Sequence, residues 1–137
     1  MSNETVRSTF LSPPALPRPA GYSHVAIAPE CARIVHISGQ VAMDGAGNIV
    51  GVGNFATQAT QAFENLRDAL KSAGSSFDHV LKINMFVLDM ADLAALREVR
   101  DRFVNTDAPP ASTLLQVSGF FREGILFEVD AVAVIPG

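Results

Sequence analysis

Cysteine occurs once in this chain of 137 residues, at Cys31, so no disulfide can form within it. A lone thiol suits a reducing compartment, and the expectation is a cytoplasmic protein. Basic residues are few and scattered: ten Lys and Arg stand against fourteen Asp and Glu, a net charge of -4. A nucleic-acid surface requires clustered Lys and Arg, so no nucleic-acid partner is expected. No apolar run reaches the roughly 18 residues of a membrane span, which argues against a membrane partner. The N-terminus lacks the basic-then-apolar order of a signal peptide. Without one, Asn3-Glu4-Thr5 reads as a chance glycosylation match. His24, His36 and His79 lack the close spacing of a helical zinc pair, so no metal site is read.

What the chain does have is apolar content, 48%, in a length that suits one domain with a sound core. Residues 1–20 read as an arm. Pro13, Pro14, Pro17 and Pro19 rule out a regular helix or a central strand there. An extended segment that packs on the body late in its course, and frays before that, is expected. Residues 21–137 form the single domain.

Short strands are expected over His24–Ala28 and Arg33–Ala42. Ser38-Gly39 inside the second marks either a simple bulge or a glycine that lets a ligand reach backbone N–H groups. Glycines 45, 47, 51 and 53 spell no phosphate-binding fingerprint and read as turn residues. A helix follows over Phe55–Ala73, capped by Asn54 and closed by Gly74. Ala59, Phe63, Leu66 and Leu70 form its inner stripe. Gln58, Gln61, Glu64, Arg67, Asp68 and Lys71 form its wet face, and Asn65 reads as exposed, with pinning of a neighbouring loop as the alternative. A third strand spans Val80–Leu88. A second helix spans Leu93–Val104 behind Asp92 as cap, with Arg97, Glu98, Arg100, Asp101 and Arg102 as a solvated charged side.

The last stretch holds two apolar runs, Thr113–Val117 and Ile125–Val134, separated by the turn-like Arg122-Glu123-Gly124. Period-2 pleating puts Phe127, Val129, Ala131 and Ala133 on one side of the final strand and Leu126, Glu128, Asp130 and Val132 on the other. Glu128 thus sits mid-strand among apolar residues. Either its face meets solvent, or it lines a wet cleft where a carboxylate orients water or takes a proton. Burial raises a glutamate pKa toward the range useful for that work.

The order of elements predicts an α/β two-layer sandwich, one sheet packed against two helices. Its other sheet face stays open. A homo-oligomer that covers this face, with clefts at subunit boundaries, is expected.

Seven short matches, in order over about residues 19–136, resemble the YjgF/RidA family of reactive intermediate deaminases, also called L-PSP endoribonucleases. Gly21-Tyr22-Ser23 resembles its G-P-Y-S opening without the Pro, and Val35-His36-Ile37-Ser38-Gly39-Gln40 its hydrophobic-S-G-Q strand. Gln58 through Asn65-Leu66 is similar to its Q-T…N-L helix. Ala73-Gly74-Ser75-Ser76 with Val80-Leu81-Lys82 is similar to A-G-S-S followed by V-V-K. Phe86 to Met90 with Asp92-Leu93 resembles its third strand and second helix start, and Phe127 to Ala133 its closing E-I-E-A-I-A strand. The Pro110-Ala111-Ser112-Thr113 segment aligns with P-A-R-S.

The resemblance implies a chorismate-mutase-like fold, with a mixed sheet, assembled as a homotrimer with three intersubunit clefts and no metal or organic cofactor. It implies hydrolysis of enamine or imine acids, such as 2-aminoacrylate and 2-iminobutyrate, to 2-keto acids and ammonia. In the family a cleft arginine grips the substrate carboxylate and a glutamate positions the attacking water. Tyr22, Ser38, Gly39 and Glu128 match cleft positions, with Glu128 as the catalytic group.

The chain departs from the pattern twice. Ser112 stands where the arginine belongs, and Arg97 where a cleft-bordering Asn belongs. Losing a bidentate clamp removes roughly 2–4 kcal/mol of carboxylate binding, on the order of 30- to 1,000-fold. Arg97, Arg33 and Arg122 are the candidates to restore the grip. Three readings follow. The first is a deaminase or related hydrolase whose small-molecule substrate lacks a carboxylate or has it held differently. The second is a non-catalytic metabolite-binding or sensor module. The third, disfavoured by the acidic pI, is an endoribonuclease or translation inhibitor.

Overall fold

The computed structural model describes residues 7–136; Asn3-Glu4-Thr5 and the start of the arm lie outside the described residues. Eight elements follow in order: β1 Thr9–Leu11, β2 Val25–Ile27, β3 Arg33–Gln40, α1 Phe55–Ser72, β4 Val80–Val87, α2 Leu93–Asp101, β5 Ala111–Gln116 and β6 Phe127–Ile135. Single 3-10 turns at Phe77–His79 and Met90–Asp92 lead into β4 and α2.

Strands β3, β6, β4 and β5 form one four-stranded sheet in that order. β6 is antiparallel to both neighbours, whereas β4 and β5 run parallel, so the sheet is mixed. The two apolar runs at the C-terminal end are therefore not partners, because β4 lies between them. The β4–β5 connection is a right-sized crossover through α2, as parallel pairing requires.

Two expectations need correction at the N-terminal end. The strand at residues 25–27 is not in the main sheet; it pairs antiparallel with Thr9–Leu11 in a sheet of its own. The arm is thus ordered early rather than late. Thr9–Leu11 precedes the first proline, so its N–H groups are all free to pair. The prolines themselves lie in the bend between the two strands, where Leu16 N–H donates to Pro13 O at 3.1 Å.

Both helices cover one face of the main sheet. Ala59, Ala62, Phe63, Leu66 and Leu70 of α1 are fully buried, as their spacing predicts. They meet Ile83, Met85 and Val87 of β4 and Phe127, Val129 and Ala131 of β6. Phe63 stacks on Phe127 at 5.7 Å and on Phe103 at 5.3 Å. Burial of such a ring contributes about 1.5–3 kcal/mol. The caps of α1 form as expected. Asn54 Oδ1 accepts from Thr57 N–H at 3.0 Å, and Gly74, at φ +78°, ends the helix. Asp92 does not cap α2 with its side chain; Asp89 instead accepts from Ala91 N–H at 2.8 Å, one turn earlier.

Gln58 was expected on the wet face and is instead completely buried. Its Nε2 donates to Gly124 O at 2.8 Å and its Oε1 accepts from Leu126 N–H at 2.9 Å. It ties α1 to the entry of β6. Asn65 takes the pinning role, donating to Val41 O at 3.0 Å and Met43 O at 2.9 Å. The other sheet face carries Ile34, His36 and Ser38, then Glu128 and Asp130, then Asn84 and Phe86, then Thr113 and Leu115. Ile34 and Leu115 are about half exposed there, at 49% and 51%.

Candidate functional site

The expected site residues fall into two groups, on opposite faces of the sheet. The first group is Tyr22, Arg97 and Ser112, which line one cleft of about 160 Å³ between α2 and the start of β5. Ser23 N–H donates to Pro110 O at 3.0 Å, and Ser23 bridges Ala111 in parallel. This bridge carries Tyr22 to the mouth of β5. Ser112 lies in register with Ile83, and Leu114 with Met85, so both face the helix side. Tyr22 packs edge-on against His24, with ring centroids 5.2 Å apart.

Arg100 lines the same cleft and was not among the expected site residues. Its assignment to a solvated charged side is incorrect: the side chain is only 8% exposed. Its Nε donates to Asp101 Oδ1 at 2.9 Å. The positive φ of Gly21, +80°, turns the chain here, and a Cβ on Gly21 would strike the Arg100 guanidinium. A signal for this was present. Leu93, Leu96, Arg100 and Phe103 share one helical stripe by spacing, and an arginine on such a stripe points inward. Gln58 carried the same signal, lying four residues before Ala62.

The second group is Glu128, Ser38 and Gly39, on the face away from the helices. Glu128 is opposite Phe86 of β4. The β3–β6 register shifts between Ile37 and Gln40, which makes Ser38-Gly39 a bulge. The bulge opens a notch for the Glu128 carboxyl. A Cβ on Gly39 would lie 2.6 Å from Glu128 Oε2. Burial, and then the nearby charge of Asp130, push the Glu128 carboxyl above the usual glutamate range. Asp130 itself accepts from Asn84 Nδ2 at 2.8 Å, and Lys82 Nζ donates to Thr113 Oγ1 at 2.8 Å. Glu128 makes no hydrogen bond among the described residues. A carboxyl in this setting holds a proton more tightly than a solvated glutamate does and leaves its lone pairs open to water.

The other two arginines considered are elsewhere. Arg33 begins β3 opposite Ile135, and Arg122 donates to Gly47 O. Among the described residues, no three of His, Cys, Asp and Glu gather as metal ligands. No helix of the described residues is long and apolar enough to cross a membrane.

The profile of a family described as Endoribonuclease L-PSP matches residues 14–135. The chain belongs to this family, YjgF/RidA. This YjgF/RidA chain is 35% identical to protein DfrA of Myxococcus xanthus over 118 residues, which cover 86% of the chain and 88% of DfrA. It is 32% identical over 116 residues to a 2-iminobutanoate/2-iminopropanoate deaminase of Mus musculus, covering 85% and 84% of the two. A crystal structure of the Rid-family protein YyfB from Yersinia pestis superposes with a TM-score of 0.82 at 25% identity, over 94% of this chain and 99% of that one. The sandwich of one mixed sheet and two helices is thus the family's chorismate-mutase-like fold.

Proposed function

We propose that this YjgF/RidA protein is a cofactor-independent hydrolase that deaminates small enamines or imines. The observation that carries the proposal is the Glu128 carboxyl. It is held in the Gly39 notch, has no hydrogen-bond partner among the described residues, and has its proton affinity raised by burial. Glu128 orients a water and takes its proton as the oxygen attacks the C=N carbon. That proton passes to nitrogen to give a carbinolamine; Glu128 then takes the carbinolamine's hydroxyl proton and delivers it to the amine as the C–N bond breaks, and a carbonyl compound and ammonia leave. An enamine enters the same path after protonation on carbon to its imine. The backbone N–H near Gly39 holds an oxygen of the substrate. Relatives named as 2-iminobutanoate/2-iminopropanoate deaminases support the reaction class.

Glu128 and Ser112 face opposite sides of one chain's sheet, so the working cleft draws its two halves from two subunits. Glu128, Ser38 and Gly39 come from one, and Tyr22, Arg97 and Ser112 from its neighbour, in a homotrimer. Ser112 holds the place of the family's carboxylate-binding arginine. The chain is therefore not a 2-imino acid deaminase of the standard kind: the substrate either lacks a carboxylate or has it held by another group. That same serine favours a second reading, a cleft that binds a metabolite without turning it over.

The test is keto-acid release from 2-iminobutanoate generated in situ by a threonine dehydratase, with sedimentation to establish the trimer. Wild type is expected to accelerate release, and Glu128→Ala to lose on the order of 10²- to 10⁴-fold. Full activity in a folded Glu128→Ala protein removes Glu128 from the mechanism. A trimeric wild type inert toward 2-iminobutanoate and toward uncharged imines leaves the binding reading.

A further inference from the structure

Arg100 occupies a position that its helix reserves for apolar side chains, four residues after Leu96 and three before Phe103. Placing a guanidinium there is costly unless its charge and its N–H groups are satisfied. Among the described residues only Nε is paired: it donates to Asp101, whose side chain is 46% exposed, while the Nη groups remain open to water at the cleft. Nη1 and Nη2 have no hydrogen-bond partner among the described residues. They lie against Gly21, whose missing Cβ leaves the space they fill. The cleft they border holds a second arginine, Arg97, together with Tyr22 and Ser112, and no Asp or Glu lines it. Its remaining wall is apolar, from Met85, Leu93, Leu96 and Leu114. A site lined by two cations, one of them also paired with Asp101 behind it, by two neutral hydroxyls and a short apolar wall, with no acid in its lining, is complementary to a small aliphatic acid.

We propose that Arg100 is the carboxylate-binding residue of this cleft, its Nη1 and Nη2 gripping the acid while Arg97 screens the mouth. The grip comes from α2 rather than from position 112 on β5, and the short Ser112 side chain leaves room for it. The ligand is a small acid whose aliphatic part rests on the leucines. This inference rests on the Tyr22–Ser112 cleft being the ligand site of the proposed function, and it names the charge that the ligand must carry.

Calorimetric titration of the full chain with 2-oxobutanoate, beside its uncharged primary amide, tests the proposal without requiring turnover. Wild type is expected to bind the acid and to bind the amide far more weakly. Arg100→Gln is expected to lose on the order of 10- to 100-fold in acid affinity, with Arg100→Lys recovering part of it. A folded Arg100→Gln protein that binds the acid as tightly as wild type overturns the assignment, as do equal affinity for the amide and absence of acid binding by wild type. Should Arg100→Gln not fold, a crystal structure of wild type with 2-oxobutanoate decides. The carboxylate against Nη1 and Nη2 of Arg100 supports the proposal, and a carboxylate bound elsewhere overturns it. Arg100-dependent acid binding in a protein inert toward imines leaves this site standing and removes the deaminase reading. Imine turnover that is indifferent to Arg100 does the reverse.

Discussion

Gly39→Ala isolates the placement of the Glu128 carboxyl from everything else in the fold. The backbone at Gly39 is outside the left-handed region, so alanine costs no conformational strain there. The new methyl would lie 2.6 Å from Glu128 Oε2 and 2.7 Å from its Cδ, where ordinary contact begins at 3.4 Å. The carboxyl must therefore retreat by about 0.8 Å, and it can, because it is the end of a side chain with rotatable bonds. A catalytic group misplaced by about 1 Å costs on the order of 10²-fold in rate. Stability should change by less than about 1 kcal/mol, since alanine also narrows the unfolded ensemble. The assay is kcat on 2-iminobutanoate beside urea unfolding, with ¹³C NMR titration of the Glu128 carboxyl as a readout independent of turnover. A Gly39→Ala protein with wild-type kcat and an unchanged Glu128 titration would falsify the notch argument. Activity lost only in proportion to stability would show a folding defect instead.

Gln58→Met keeps the volume of the buried side chain but leaves Gly124 O and Leu126 N–H unpaired, so a loss of about 2–4 kcal/mol is expected in urea unfolding. A loss under about 0.5 kcal/mol would mean that water replaces the amide without cost. Glu128→Gln should raise stability at neutral pH. The folded state holds the Glu128 proton more tightly than the unfolded chain does. Its favourable contribution is therefore full below the unfolded pKa and is lost as pH rises through the folded one. The advantage of Glu128→Gln over wild type should shrink on acidification through the carboxylate range; an advantage independent of pH would assign it to something other than the charge.

Both helices, the strands of the main sheet, the faces of most of their apolar residues, and the family were legible in the sequence alone. Helical spacing from Ala59 to Leu70, the Asn54 and Gly74 ends, and the alternation from Phe127 to Ala133 are all local patterns. Local sterics and hydrogen bonding act over a few residues, so such patterns survive in one dimension. The bulge at Ser38-Gly39 was visible for the same reason, as was the oddity of Glu128. Seven motifs in order then carried the family and with it the sandwich. What a face packs against is a different matter, decided by segments far apart in the chain. Gln58 reads as wet because its partners, Gly124 and Leu126, lie more than sixty residues away. Arg100 reads as solvated because one charge in a charged run resembles the next; the turn at Gly21 and the start of β5 are what enclose it. Only the registers of β5 and β6 on β4, which set Ser112 beside Ile83 and Glu128 beside Phe86, place the two on opposite faces, because register is a choice among long-range pairings that pleating alone leaves open.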